Sequence, residues 1–147
     1  MTAYVVDAST AVKLYLAEPL AAEAAALFGL LSATPVVEFH VPDLFFAECA
    51  NIFWKQARRG TCTAAQTIAF QADLRALPLV RTPTFDLTAI ALPIALAHDI
   101  SAYDACYVAL ASRLGIPLIT ADQKLLAKLA VTPLAPVWPG AWTPPVP

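Results

Sequence analysis

Four short apolar segments, separated by longer segments of helical pattern, constrain the fold of this chain most strongly. They cover residues 4–6, 39–41, 79–81 and 117–120, and each has the length and composition of a β-strand. Strands that alternate with helices are typical of parallel sheets, because the helix returns the chain to the starting edge. The sequence therefore predicts an α/β domain with a short-stranded parallel sheet.

Helical patterns fill the intervals between these strands, and several carry end signals. The predicted helices cover residues 10–17, 19–31, 42–59, 63–77, 85–97, 102–114 and 122–130. Thr63 and Gln66 fit a capping box, and Ser101 fits the N-cap of the helix that Gly115 ends. Pro93 predicts a kink or a break in the helix over residues 85–97.

Composition limits the classes of protein to which the chain can belong. With 59% hydrophobic and 14% charged residues, it is too apolar for a disordered chain. The longest uncharged stretch before the tail, residues 24–37, is shorter than the ~20 residues of a membrane-spanning helix, so no membrane is expected. We expect one domain over residues 1–130. Residues 131–147 form a proline-rich tail that packs on the domain or adds an edge strand.

The cysteines and the amino-terminal segment indicate a cytoplasmic protein. Cys49, Cys62 and Cys106 are odd in number and lack the spacing of a metal site, so reduced thiols are expected. Asp7 interrupts the only apolar run that resembles a signal peptide. A reducing cytoplasm is therefore the expected compartment.

Two aspartates follow predicted strands. Asp7 comes after the first strand, and Asp122 comes after the strand at residues 117–120. Ligands of parallel α/β sheets bind beyond the carboxyl ends of the strands, so both carboxylates are candidates for one crevice. The alternative is that each only caps the next helix, since Asp is a good N-cap.

Two further acids lie near the starts of helices. Glu48 occupies a helix face that is otherwise apolar or small, where an uncompensated carboxylate is costly, unless it reaches solvent at the edge of that face. Asn51, one turn later, is placed to orient it. Asp104 ends a Ser-x-x-Asp pattern that begins at Ser101, which also fits a capping box.

Together these four acids indicate a metal site. Two unit charges ~4 Å apart repel by ~4 kcal/mol at an effective dielectric near 20, so a converging quartet needs protons or cations. Oxygen ligands favour Mg²⁺ or Mn²⁺ over zinc. Such ions activate water and stabilise a phosphoryl displacement, so metal-dependent phosphodiester hydrolysis is the chemistry that these residues best support.

At four short motifs the chain resembles the PIN-domain family, and within it the VapC-type toxins of prokaryotic toxin–antitoxin pairs. The motifs are Tyr4-Val5-Val6-Asp7-Ala8-Ser9, Pro42-x-Leu44 with Glu48 and Asn51, Tyr103-Asp104-Ala105, and Thr120-Ala121-Asp122. They occur in the order of the family and span residues 4–130. Two features depart from its pattern. Asp99 stands where a small residue or Gly is common, so it either approaches the site or lies in a turn, and the tail is longer and richer in proline.

This resemblance implies a three-layer α/β/α domain that acts as a Mg²⁺- or Mn²⁺-dependent endoribonuclease. The implied catalytic and metal-binding residues are Asp7, Glu48, Asp104 and Asp122. Ser9 and Thr120 would be supporting hydroxyls, while Asn51 would orient Glu48. The resemblance also implies an RNA substrate, a homodimer, and a small antitoxin that lays a helix or tail into a groove near the site.

Basic residues that could contact RNA phosphates are Lys13, Lys55, Arg58 and Arg59. The alternative is that basic residues near helix ends only complement the helix dipole. A net charge of −2 argues by itself against binding a polyanion. If cations neutralise the four acids, the rest of the chain carries +2, which suits weak steering of RNA.

Other functions fit less well. A non-catalytic interaction module on the same scaffold is the main alternative, although four intact acids argue against it. An aspartate-based phosphatase would normally carry a second acid two residues after Asp7, where Ser9 stands. Ser9 also lacks the Gly-x-Ser-x-Gly setting of a serine hydrolase, and no glycine-rich phosphate loop is present.

Overall fold

Four parallel strands form the sheet that the sequence predicts. The structure, a computed structural model, describes residues 2–143. The strands are β1 (Thr2–Val6), β2 (Val37–Pro42), β3 (Val80–Thr82) and β4 (Leu118–Ile119). Their spatial order is β3-β2-β1-β4, and every pairing is parallel. This order places β1 and β2 at the centre, with their carboxyl ends at one edge of the sheet.

Helices connect the strands and cover the sheet. They are α1 (Ala8–Ala11), α2 (Ala21–Gly29), α3 (Leu44–Arg58), α4 (Ala64–Ala76), α5 (Phe85–His98), α6 (Ala102–Leu114) and α7 (Gln123–Leu129). Short 3₁₀ helices cover Val12–Leu14, Leu30–Ser32 and Pro139–Ala141. The consecutive residues Tyr4, Val5 and Val6 are all buried, as in a strand that is covered on both faces. The predicted α/β fold of three layers, α/β/α, is confirmed.

Most of the predicted helix ends match the structure. The side chain of Thr63 accepts a hydrogen bond from the N–H of Gln66 (3.1 Å), and the side chain of Gln66 accepts one from the N–H of Thr63 (2.8 Å). Ser101 caps α6 by accepting from the N–H of Asp104, and Gly115 ends that helix with φ +65°. The predicted capping box and both ends of α6 are therefore confirmed.

The first two helices start at other residues than predicted. The helix predicted over residues 10–17 begins at Ala8, because the carboxylate of Asp7 caps it, and it tightens into a 3₁₀ turn at Val12–Leu14. The helix predicted from residue 19 begins two residues later, since Leu20 has a left-handed backbone with φ +72°. A sequence pattern does not show such a local reversal of the backbone.

Pro93 does not break α5, so this part of the prediction is wrong. A proline cannot donate to the carbonyl four residues earlier, which here belongs to Ala89. Both residues are exposed, so water can hydrate that carbonyl. Extensive packing of α5 along α6 also holds the helix together.

Residues after α7 run beside the edge strand β4. Val137 forms an isolated parallel bridge with Ile119, and its N–H donates to the carbonyl of Leu118 at 2.8 Å. The ring of Trp142 packs edge-on against Tyr4, with centroids 6.4 Å apart. The last part of the proline-rich tail, residues 144–147, lies outside the described residues.

Within residues 2–143, no single helix is long and apolar enough to cross a membrane. Only α5 and α6 taken together have the length and composition required, and the chain bends by 112° between them.

Candidate active site

A buried carboxylate, that of Asp7, lies at the carboxyl end of the central strand β1. Its side chain is almost fully buried, and oxygen Oδ1 accepts hydrogen bonds from the N–H and the hydroxyl of Thr10, at 3.1 and 3.0 Å. The hydroxyl of Ser9 donates to the same oxygen at 2.8 Å. Oδ2 accepts from the hydroxyl of Thr120, which follows β4. Three hydroxyls therefore fix the orientation of this one carboxylate.

The same hydroxyls connect β1 to the loop that follows β4. Oγ of Ser9 accepts from the N–H of Ala121 at 3.1 Å, and Oγ1 of Thr120 accepts from the N–H of Asp122 at 3.0 Å. β1 and β4 are adjacent parallel strands, so both loops leave the same edge of the sheet. This network holds the loops that carry Asp7 and Asp122 side by side, with the hydroxyls of Ser9 and Thr120 bonded between them.

Burial raises the pKa of Asp7 from its ordinary value of 3.8 to about 6. Desolvation penalises the ionised form, and the hydrogen bonds from Thr120, Ser9 and Thr10 offset only part of that cost. The carboxylate is therefore ionised at neutral pH, but it takes up a proton more readily than an exposed aspartate. A nearby cation would oppose this protonation.

Glu48 projects from the first half of α3 and is half-buried. Its Oε1 accepts a hydrogen bond of 2.7 Å from the hydroxyl of Tyr107 on α6. Burial raises the pKa of Glu48, and the negative charges of Asp104 and Asp7 raise it further, while the bond from Tyr107 opposes the shift. The predicted partner Asn51 is exposed, and Tyr107 makes the orienting contact in its place.

Asp104 and Asp122 complete the group at the starts of α6 and α7. Burial raises the pKa of Asp104, and the charge of Asp122 raises it further. Asp122 caps α7, with Oδ1 accepting from the N–H groups of Lys124 (2.9 Å) and Leu125 (3.1 Å). Asp122 thus caps a helix and also lies near enough to Asp104 to shift its pKa, and Asp7 likewise caps α1 and acts on Glu48.

The acids lie within electrostatic reach of their neighbours, Asp7 and Asp104 of Glu48 and Asp122 of Asp104, without forming a compact ligand set. Among residues 2–143, no three His, Cys, Asp or Glu side chains lie close enough together to hold a metal ion as they stand. Burial raises the pKa of Glu48 and of Asp104, and neighbouring carboxylates raise both further, which indicates negative charge gathered at this edge of the sheet. The chemistry of carboxylate and hydroxyl oxygens fits a hard divalent cation.

Sequence reasoning missed two residues of this site. Thr10 donates to Asp7, and its position three residues after an N-cap aspartate was the available signal. Tyr107 holds Glu48. It stands three residues after Asp104 on the same side of α6, and it is the one hydroxyl within the otherwise apolar run of residues 105–111.

The basic candidates have different environments. Lys13 forms an ion pair of 2.6 Å with Glu18, so its charge is already compensated. Lys55, Arg58 and Arg59 are exposed at the carboxyl end of α3, where they line a cavity of about 340 Å³ together with Trp54.

Asp99, the acid that departs from the family pattern, lies in a turn. It ends α5 in a left-handed conformation with φ +53°, and its carboxylate pairs with Lys128 at 3.2 Å. The negative charge of Asp99 is therefore paired with Lys128 on α7. It is not among the charges that shift the pKa values of Asp7, Glu48 and Asp104.

The fold and the acids near the carboxyl ends of the strands define a small α/β domain with a candidate site at that edge of the sheet. The PIN-domain family model matches residues 4–131. Ribonuclease VapC3 of Pyrobaculum aerophilum is 33% identical over 88% of this chain and 98% of its own. The chain therefore belongs to the PIN-domain family and, within it, to the VapC proteins.

Solved structures agree with this assignment. The crystal structure of PAE2754 from Pyrobaculum aerophilum has a TM-score of 0.65 at 26% identity, covering 91% of this chain and 82% of that one. A toxin–antitoxin complex from Klebsiella pneumoniae contains a chain with a TM-score of 0.62 at 16% identity, covering 92% of this chain and 97% of that one. The second likeness shows the fold alone.

Proposed function

We propose that this protein is a toxin endoribonuclease that hydrolyses RNA phosphodiester bonds with the help of Mg²⁺ or Mn²⁺. The observation that carries the proposal is the buried Asp7, which three hydroxyls fix and whose charge helps to raise the pKa of Glu48. The relative VapC3 is named a ribonuclease, which supports RNA as the substrate class.

The residues that would hold the cation are Asp7, Glu48, Asp104 and Asp122. Bound there, a divalent cation supplies an activated water and charge stabilisation for an in-line displacement at phosphorus. Asp7 provides a fixed carboxylate because Ser9, Thr10 and Thr120 prevent its rotation. Tyr107 keeps Glu48 directed across the crevice, and Asn51 lies one turn further along α3.

Positive charge near the crevice would bring the RNA to these acids. Lys55, Arg58 and Arg59 are the exposed cations on α3, the helix that carries Glu48. Lys13 would contribute only after release from Glu18. We assign phosphate contacts to these four residues, of which the three on α3 need no rearrangement.

An RNA cleavage assay tests this function. The purified protein, freed of any bound partner, should cleave RNA with Mg²⁺ or Mn²⁺ and lose this activity in EDTA. Asp104→Asn should lose at least 100-fold in rate with its fold retained, whereas the matched exposed substitution Asp86→Asn should change little. Folded protein that leaves RNA intact under all these metal conditions would overturn the proposal.

A second function, a non-catalytic interaction module, has one observation in its favour. The described acids do not form a ready-made site of three ligands. Calorimetry with Mn²⁺ separates the two functions. Binding that is lost in Asp104→Asn supports the nuclease, and the absence of Mn²⁺ binding supports the module.

An antitoxin is the proposed protein partner. The chain shares its fold with a subunit of a toxin–antitoxin complex. An apolar groove of about 340 Å³ between α3 and α4 is the candidate binding site for a helix or tail of such a partner. The groove is lined by Ala50, Phe53, Trp54, Ala57, Ala64, Thr67, Ile68 and Gln71.

A homodimer in the cytoplasm is the proposed state of the protein. Phe85, Leu92 and Leu96 recur on one side of α5 at helical spacing, and all three are strongly exposed. Such an apolar stripe is typical of a surface that a second copy covers. The three cysteines are free thiols, as is usual in a reducing compartment.

A further inference from the structure

An exposed tryptophan lies among the cations at the carboxyl end of α3. Trp54 is 52% exposed, although the guanidinium of Arg58 lies 4.8 Å from the centroid of its ring. Lys55 and Arg59 complete the lining of this cavity, which we call the Trp54 patch. Its lining therefore combines one large aromatic surface with three positive charges.

The Trp54 patch lies further along the helix that carries Glu48. An α-helix turns by about 100° per residue, so Lys55 and Arg59, seven and eleven residues after Glu48, lie on the same side as that acid. The rise of 1.5 Å per residue places them about 10 and 16 Å from it along the axis. By the same count, Trp54 and Arg58 lie about 120° and 80° round the helix from Glu48, so they form one side of the patch and Lys55 and Arg59 form the other.

We propose that Trp54 is a stacking platform for one unpaired base of the RNA strand, a few nucleotides from the cleaved bond. The inference rests on the proposed ribonuclease function and assigns a residue for substrate binding. Lys55, Arg58 and Arg59 then neutralise the phosphates on either side of the stacked base. The indole ring and the guanidinium of Arg58 both present flat faces on which a base can stack.

Charge and position favour RNA over an acidic peptide at this patch. A strand whose scissile phosphate lies beside Glu48 must continue across neighbouring surface, and the cations follow α3 from that point. An exposed aromatic ring among phosphate-binding cations is typical of sites for single-stranded nucleic acid. Stacking tolerates any base, so the patch selects unpaired strands over duplex and does not select a sequence.

Abasic scanning of the RNA tests the platform directly. A short single-stranded substrate receives one abasic nucleotide at each position in turn, and its affinity is measured on the Asp104→Asn protein so that it is not cleaved. One position outside the cleavage site should lose about 5- to 100-fold in affinity, as expected for one stacked base. Adding Trp54→Ala to the protein should not lower its affinity for that abasic RNA any further.

Variants of the active protein give a second measurement. Trp54→Ala should raise KM by a similar factor with kcat nearly unchanged, because the stacked base is bound equally in the ground and transition states. Trp54→Phe should have a KM between those of the wild type and Trp54→Ala, because a smaller aromatic ring remains for stacking. Val131→Ala, at an exposed apolar position after α7, should leave KM unchanged.

The outcomes separate this inference from the function on which it rests. Protein that neither binds nor cleaves RNA overturns both. Efficient cleavage with a flat abasic scan and an unchanged KM in Trp54→Ala overturns the platform alone. In that case Trp54 belongs only to the apolar groove for a protein partner. If Trp54→Ala does not fold, the abasic scan on protein with the native Trp54 still decides.

Discussion

The hydroxyl of Tyr107 donates a 2.7 Å hydrogen bond to Oε1 of Glu48 and so joins α6 to α3. Tyr107 is buried, and this is the bond that satisfies its hydroxyl in the structure. Burial raises the pKa of Tyr107, and the charge of Glu48 raises it further, so the tyrosine stays a donor at any physiological pH. The bond therefore fixes the direction of the glutamate.

Tyr107→Phe should lower the cleavage rate about tenfold and the free energy of unfolding by about 1 kcal/mol, the usual contribution of one hydrogen bond. The pKa of Glu48 should rise further, because the substitution removes an interaction that favours the ionised form. Cleavage assays and urea unfolding measure these effects. Tyr103→Phe, on the exposed side of the same helix, is the matched control. Equal effects in both variants would contradict the assigned role.

The raised pKa of Asp7 should make the metal-free protein more stable as the pH falls from 7 towards 5. The folded carboxyl has a pKa of about 6 against 3.8 when exposed, so between these values the folded state binds more protons. Keeping this carboxylate ionised in the folded protein therefore lowers the free energy of unfolding by up to about 3 kcal/mol at neutral pH. The stability of the wild type relative to Asp7→Asn should therefore rise on acidification.

Urea unfolding in EDTA at pH 5, 6 and 7 checks this pH dependence. Asp86→Asn, at an exposed position in α5, provides the control. The difference between its free energy of unfolding and that of the wild type should not show this dependence on pH. If the difference in free energy of unfolding between the wild type and Asp7→Asn were the same at all three pH values, the carboxyl of Asp7 would titrate in the folded protein like an exposed one.

The sequence predicted the fold and the placement of the acids because both depend on local patterns. Short strands, helix caps and acids after strands are read within a few residues, and Asp7 and Asp122 lie where that reading places them. The left-handed Leu20 and the unbroken helix at Pro93 are different. They depend on packing and solvent exposure, which no local pattern contains.

The hydrogen-bond partners within the site were harder to predict for the same reason. Glu48 and Tyr107 are 59 residues apart, and only the tertiary fold brings their side chains within hydrogen-bond distance. The nearer polar residue, Asn51, was the natural choice from helical spacing, yet it faces solvent. Spacing along one helix identifies residues on a common face, but it does not show which neighbouring helix supplies a donor.

The cations on α3 should control how strongly salt weakens RNA binding. Each phosphate contact on a single strand adds about 0.7 to the slope of log affinity against log salt. Arg59→Gln should therefore reduce the slope by about 0.7, without a change in kcat. Fluorescence anisotropy from 50 to 300 mM salt measures it. Arg75→Gln, an exposed residue at the end of α4, is the control and should keep the original slope.

The apolar stripe on α5 should hold two copies of the protein together. Phe85 and Leu96 are 88% and 77% exposed and lie on one side of the helix, so a lysine there would bury a charge in the interface. Leu96→Lys should convert the dimer to a monomer in light scattering after gel filtration. Ala97→Lys places the same charge about 100° away on the helix and should remain dimeric. A wild type that is monomeric at all concentrations, or a Leu96→Lys protein that stays dimeric, would show that another surface or none joins the copies.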